Sequence, residues 1–251
     1  MRRYGLSDGQ WERIKDLLPG REGHVGGTAA DNRLFIEAVL YRYRAGIPRR
    51  DLPVRFGDWK NMHRRLHRWC ESGVIEQIFR HLAADHDNEY MMVDSTIVRV
   101  HQHSAGAKKK GGADQAIGRS RGGLTTKTHA IVDAAGKAVA LSLTPGQRAD
   151  ITEAEPLLDE VDPEAFIADR AYNAASLIEK LEERGITPVV PSKKNRIFPR
   201  KTRFSIYKKR NIIERFFATL KQFRGIATRY DKLKSTFIAA VQLVSAVIGA
   251  N

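Results

Sequence analysis

The chain has 251 residues, with 43 Lys+Arg against 29 Asp+Glu, a formal charge of +14 and a sequence pI near 10.0; a field of that sign draws polyanions, nucleic acid first among them. A single cysteine, Cys70, excludes an internal disulfide and any multi-cysteine zinc site, and suits a reducing cytosol. Residues 1–10 hold no apolar core and the most apolar stretch, 236–250, is shorter than the roughly 20 residues that span a bilayer, so neither a secretory signal nor a membrane partner is expected.

Residues 1 to about 85 read as helical. Ser7 can cap a helix through Trp11, Ile14, Leu17 and Leu18 that stops at Pro19-Gly20. After a glycine-rich loop, Asp31 opens a second helix, with Leu34, Phe35, Ala38, Val39 and Tyr41 at helical spacing and Gly46 and Pro48 ending it. A short helix over 49–54, a turn at Phe56-Gly57 and a longer helix over 58–71 follow, the order of a helix-turn-helix. The longer helix carries Lys60, Arg64, Arg65 and Arg68 as candidate DNA contacts, while Trp59, Met62, Leu66 and Trp69 recur at three and four and would face a core. Cys70, beside Trp69, reads as a half-buried structural thiol.

From Glu89 the period changes. Segments 90–93 and 97–100 belong to one long strand, and 124–132 and 138–143 flank a hairpin turn at Asp133-Ala-Ala-Gly136. Between them, 104–123 is rich in Gly, Ala, Lys and Arg and reads as a mobile loop whose Lys108-Lys109-Lys110 could grip phosphates or simply keep it soluble. Asp150-Ile-Thr-Glu153 resembles a capping box opening a helix to about residue 160. A short buried strand at 166–168, a helix over 174–184 closed by Gly185, a strand at 187–190 and a long helix over 205–223 complete the pattern, and 236–250 reads as a terminal packing helix. Three strands, helix, strand, helix, strand, helix is the order of the ribonuclease H-like α/β fold, a mixed sheet here preceded by an all-helical, helix-turn-helix-like domain, with the division at 1–86 and 87–251.

Three acids stand out. Asp94 and Asp169 each follow an apolar strand run, so they can point at a common spot, although a lone Asp there is commonly a turn or cap residue. Glu214 sits within 193–234, which holds 15 Lys+Arg and only one other acid, Asp231. At helical spacing Tyr207, Arg210, Glu214 and Lys221 share one side, and Ile212, Ile213, Phe216, Leu220 and Phe223 occupy a separate arc. Clustered carboxylates among cations suit phosphoryl transfer on DNA through two hard, oxygen-seeking Mg²⁺ ions, with Mn²⁺ a substitute. His101-Gln-His103 has metal-like alternation but lacks a third ligand nearby, and reads as surface histidines near DNA. Asp133 and Asp150 are explained by a turn and a helix cap.

Tyr207-x2-Arg210-x3-Glu214-x6-Lys221 resembles the Y-R-E-K signature of bacterial insertion-sequence DDE transposases. Val93-Asp94-Ser95-Thr96, Gly122-Gly123-Leu124-Thr125-Thr126-Lys127 and Ala168-Asp169-Arg170-Ala171-Tyr172 are similar to the IS-five branch of that family, and the resemblance covers essentially the whole chain. It implies cleavage at element ends and strand transfer into target DNA, with Asp94, Asp169 and Glu214 as metal ligands and Tyr207, Arg210 and Lys221 near the cleaved phosphate. It further implies binding to double-stranded terminal inverted repeats, a homodimer or higher oligomer on DNA, and a nucleoid-associated cytoplasmic location in a bacterium. Asp169 and Glu214 stand 45 residues apart, too close for the β-rich insertion domain that some relatives carry, so the route of the cut strands stays open. A catalytically silent DNA-binding regulator and a ribonuclease H-like nuclease are the alternatives.

Overall fold

The computed structural model describes residues 6–20, 31–109, 114–192 and 203–249. The glycine-rich loop expected after residue 20 and the side chains of the lysine run 108–110 lie outside the described residues. The chain forms two compact units, one drawn from 1–84, 100–115 and 219–251 and the other from 85–99 and 116–218.

Helix α1 (Asp8–Ile14) begins at a capping box in which Ser7 and Gln10 bond each other's backbone, and a 3-10 turn, Lys15–Leu17, continues it. Helix α2 (Asn32–Ala45) is capped by Asp31, whose carboxylate accepts the Leu34 N–H, and ends at Gly46 with φ 68°. A Cβ at Gly46 would lie 2.7 Å from the Arg224 Cβ, so both the dihedral and the close approach require glycine. Helix α3 (Trp59–Glu71) starts at Asp58 and buries Met62, Leu66 and Trp69 as the period demands, and α4 (Val74–Ala83) follows it after Gly73. The short helix expected over 49–54 is not there. Pro48 and Pro53 withhold N–H donors and hold their predecessors extended, so the segment folds as two 3-10 turns, Arg49–Asp51 and Val54–Phe56.

In the other unit β1 (Met91–Val100) is one long strand, as its apolar runs predict. Strands β2 (Gly118–Ser120), β3 (Gly123–Val132) and β4 (Ala138–Pro145) pair antiparallel in turn, and β3 also pairs antiparallel with β1. The stretch expected as an open loop over 104–123 is therefore partly built: β2 pairs with β3, Ile117 is buried, and Gln102–Lys109 is 3-10 helix. Helix α5 (Ile151–Leu158), β5 (Ala165–Ala168), α6 (Ala175–Glu183) and β6 (Thr187–Val189) come next, with β5 and β6 parallel to β1. The sheet order β4-β3-β1-β5-β6, antiparallel on one side of β1 and parallel on the other, is the ribonuclease H-like arrangement. Met91 and Val93 join Phe166 and Ala168 in a core sealed by Leu157, Leu158, Leu177 and Leu181 from α5 and α6. Asp94, one residue on from Val93, alternates to the opposite face.

The single helix expected over 205–223 is broken into α7 (Phe204–Tyr207), a 3-10 turn Lys208–Arg210 and α8 (Asn211–Lys221). Helix α9 (Arg224–Ala227), β7 (Thr228–Arg229) and α10 (Lys234–Gly249) end the described chain, and α10 buries Phe237, Val241 and Val244 while packing against α3 and α4. Arg229 is completely buried and donates to the carbonyls of Gln115 (2.9 Å) and Asp231 (2.9 Å), while its own carbonyl accepts the His101 N–H at 2.9 Å. That wiring joins segment 100–115 to the C-terminal residues. Among the described residues no helix is long and apolar enough to cross a membrane.

Candidate active site

Parallel pairing of β1 with β5 sets Val93 opposite Ala168, so the next residue on each chain is an acid, Asp94 on one and Asp169 on the other. Both are half-buried. The Asp169 carboxylate turns onto its own chain and accepts the Ala171 N–H at 2.6 Å, capping a 3-10 turn. Asp94 accepts the Ser95 N–H at 2.8 Å and receives Nη1 of Arg210 at 2.8 Å. The other arm of that guanidinium, Nη2, bonds Glu214 one turn along, so one cation joins acids from β1 and α8.

Burial raises the Asp94 carboxyl above its ordinary range, and Asp169 and Asp150 add to the rise against the pull of the Ser95 N–H and Arg210. Burial lowers the Arg210 guanidinium, but Asp94 and Glu214 outweigh it and leave it raised. Asp94 is thus a half-buried acid held beside a cation. Among the described residues no three His, Cys, Asp or Glu side chains are gathered as a metal cage, because Arg210 stands between Asp94 and Glu214 and Asp169 caps its own turn. The donors fit a hard divalent ion in kind, as anionic oxygens already sharing a positive partner. Tyr172 supports the same fit. It is 1% exposed, its hydroxyl lies beside Ser95 without closing a hydrogen bond, and burial together with Asp150, Asp94 and Asp169 pushes it well up against the pull of Ser95.

Asp150 is the residue that sequence reasoning explained wrongly. No capping box forms, and its carboxylate instead pairs with Lys127 Nζ at 2.8 Å and accepts the Ser95 hydroxyl at 2.7 Å. Glu153, the other half of the expected box, accepts the Ser142 hydroxyl at 3.0 Å. Lys127 is buried in β3 and also donates to the Arg148 carbonyl at 2.7 Å. A lysine inside a strand that is buried from Thr125 onward was the available signal for an internal acid partner. Asp133 keeps its expected turn role, accepting the Lys137 N–H at 2.8 Å.

Two residues along, His129 is fully buried with Nε2 2.8 Å from the Thr144 hydroxyl oxygen. Burial lowers its imidazole from 6.5 to about 4, so the fold keeps it neutral where the unfolded chain binds a proton. Its contribution is complete above about pH 6.5 and is lost as pH falls through 4. Between pH 7 and pH 5 urea unfolding should show wild type losing about 2 kcal/mol more than His129→Gln; equal losses in both proteins would remove this account.

Of the other candidate residues, Tyr207 is half-buried at the end of α7, before the break, and Lys221 is exposed two turns beyond Glu214. On α3, Lys60, Arg64 and Arg68 are exposed, with Arg64 bonded to Asn61 at 2.6 Å. Arg65 is half-buried, lies 4.4 Å over Phe35 and 4.9 Å over Trp69, and bonds the Asn32 side chain, so it ties α3 to α2. His101 stacks on Tyr230 with centroids 4.8 Å apart and meets His103 edge-on at 4.6 Å. Cys70 is half-buried and burial pushes its thiol up to about 12, a structural rather than a reactive cysteine.

Comparison with known proteins gives two family matches, "Transposase DDE domain" over residues 86–248 and "Putative transposase of IS4/5 family" over residues 6–79. An uncharacterized protein of Sinorhizobium fredii, y4sN, is 49% identical over 109 residues, covering 43% of this chain and 87% of the relative. A putative transposase for insertion sequence element IS6501 of Brucella ovis is 35% identical over 130 residues, covering 50% of this chain and 98% of the relative. The piggyBac transposase synaptic complex with hairpin DNA aligns at 14% identity and a TM-score of 0.38, over 77% of this chain and 50% of that one, a likeness too slight to carry a structural argument.

Proposed function

The chain belongs to the DDE transposases of bacterial insertion sequences, and from that premise we propose that Asp94, Asp169 and Glu214 hold two Mg²⁺ ions, replaceable by Mn²⁺, for cutting DNA at element ends and joining it to target DNA. The observation that carries the reading is the bridge from Arg210 to both Asp94 and Glu214, a cation shared by two acids of the triad. Bound metal of this kind stabilises the attacking and leaving oxygens of an in-line displacement.

The chain's own side chains bind and orient. Arg210, once released by the acids, offers a planar pair of donors to a phosphate, and Tyr207 and Lys221 hold the DNA strand beside it. Lys60, Arg64 and Arg68 on α3 grip the duplex of the terminal inverted repeats, with Arg65 fixing the helix that carries them. On this reading 1–86 binds DNA, 87–251 does the chemistry, and two or more copies act together on the element ends in the bacterial nucleoid.

A plasmid bearing the DNA that flanks this gene tests the proposal. The protein should cut at the element boundaries only when Mg²⁺ or Mn²⁺ is supplied. Cleavage of an RNA–DNA hybrid with no cutting of the terminal duplex would replace transposition by a ribonuclease activity, and binding without any cutting would leave a silent regulator.

A further inference from the structure

We propose that the turn formed by residues 53–57 is a second DNA contact, entering the minor groove beside the face met by α3, with Val54 as an apolar wedge between Arg50 and Arg55. The inference rests on the reading of this chain as a DNA-acting protein and adds to it a groove and a set of residues.

Val54 is 92% exposed, more than any other large apolar side chain described. A single exposed apolar residue is ordinary on a protein surface, but this one sits on a stiffened tip. Pro48 and Pro53 each open a 3-10 turn, and Gly57 closes the second with φ 81° and ψ −165°, a conformation reserved for glycine. A tip already held in shape loses little entropy on binding.

The charge around it is one-sided. Residues 49–68 contain seven Lys+Arg and two acids, Asp51 and Asp58, and the Asp58 carboxylate is engaged by the Lys60 N–H at 2.8 Å. Arg49 and Arg50 lie 5.7 and 5.6 Å over the Trp59 ring, and Arg55 lies 4.7 Å over Phe56 and 5.0 Å over Tyr41. A guanidinium held over a ring keeps in-plane N–H donors for a second partner, and Arg49 already directs one of its own at His63, 2.8 Å away. The rings thus fix the position of cations whose donors suit phosphates.

Arginines flanking an apolar side chain match the minor groove. Its negative potential attracts guanidinium groups, and apolar wedges part base steps there. A helix in the major groove with a neighbouring arm in the adjacent minor groove is an established docking geometry.

The test measures binding of the full-length protein to a labelled duplex from the DNA flanking this gene, by anisotropy at several salt concentrations. Val54→Ser should weaken binding about 5- to 10-fold without altering the salt dependence. Arg55→Gln should weaken it and reduce the salt slope by about 0.9. A minor-groove drug of the netropsin class should compete with wild type and lose its effect on the variant that combines Val54→Ser with Arg55→Gln. Unchanged Tm values would confirm that these exposed substitutions leave the fold intact. If Lys60→Gln and Arg64→Gln lose binding while both turn variants bind like wild type, the wedge is wrong and the reading of α3 stands. If neither set matters, both fall. If Val54→Ser abolishes binding to anionic vesicles but not to the duplex, the tip serves a membrane surface and the proposal is overturned.

Discussion

Asp94→Asn is expected to lower metal-dependent strand cleavage about 10³-fold while leaving the protein as stable as wild type or more so. Asparagine keeps the shape of the side chain and can still accept the Ser95 N–H, which Asp94 receives at 2.8 Å. It removes the charge. A metal ligand contributes several kcal/mol of transition-state stabilisation, and a loss of about 4 kcal/mol corresponds to about 10³ in rate. Stability moves the other way, since burial raises the Asp94 carboxyl and the ionised form is the one the fold disfavours. Single-turnover cleavage of the element-end duplex and a thermal melt of the same preparation check the two halves. A variant that cuts at the wild-type rate removes Asp94 from the chemistry. One that loses activity only because it melts early assigns it a structural role.

Lys127→Met carries the larger stability cost. The ammonium is buried in β3, pairs with Asp150 at 2.8 Å and donates to the Arg148 carbonyl at 2.7 Å. Methionine fills the stem but leaves an acid without its cation in a half-buried site. Breaking such a pair costs about 3 kcal/mol, whereas removing both partners costs much less. Urea unfolding of Lys127→Met, Asp150→Leu and the double variant forms the test. The double variant should be more stable than Lys127→Met alone. Strictly additive losses would show that the pair is not coupled. Because Ser95 also bonds Asp150 and follows Asp94, Asp150→Leu should disturb cleavage as well as stability.

The sequence patterns that matched the structure are local ones. The helix starts read at Ser7 and Asp31 and the helix end read at Gly46 are decided within a few residues, and the structure has each in place. Strand runs ending in acid were enough to mark Asp94 and Asp169, because parallel pairing of β1 with β5 turns a shared position in the run into neighbouring positions in space. Glu214 was visible by its isolation among cations, and its contact with Arg210 at a spacing of four forms even though Arg210 ends the 3-10 turn and Glu214 lies in the first turn of α8. What was hidden depends on distant partners. Asp150 with Glu153 spells a capping box, and only the fold brings Lys127 close enough to claim the acid instead. The 3-10 turn at Lys208–Arg210 has no proline or glycine to announce it. Strand β2 is three residues long, too short to show a period, and is held by its hairpin with β3.

Three carboxylates, on β1, after β5 and on α8, are proposed to hold two divalent ions together. Calorimetric titration of the DNA-bound protein with Mn²⁺, in wild type and in the Asp94→Asn, Asp169→Asn and Glu214→Gln variants, tests this most directly. Wild type should bind two ions per site, and each variant should lose at least one of them. Unchanged stoichiometry and affinity in all three variants would contradict the account.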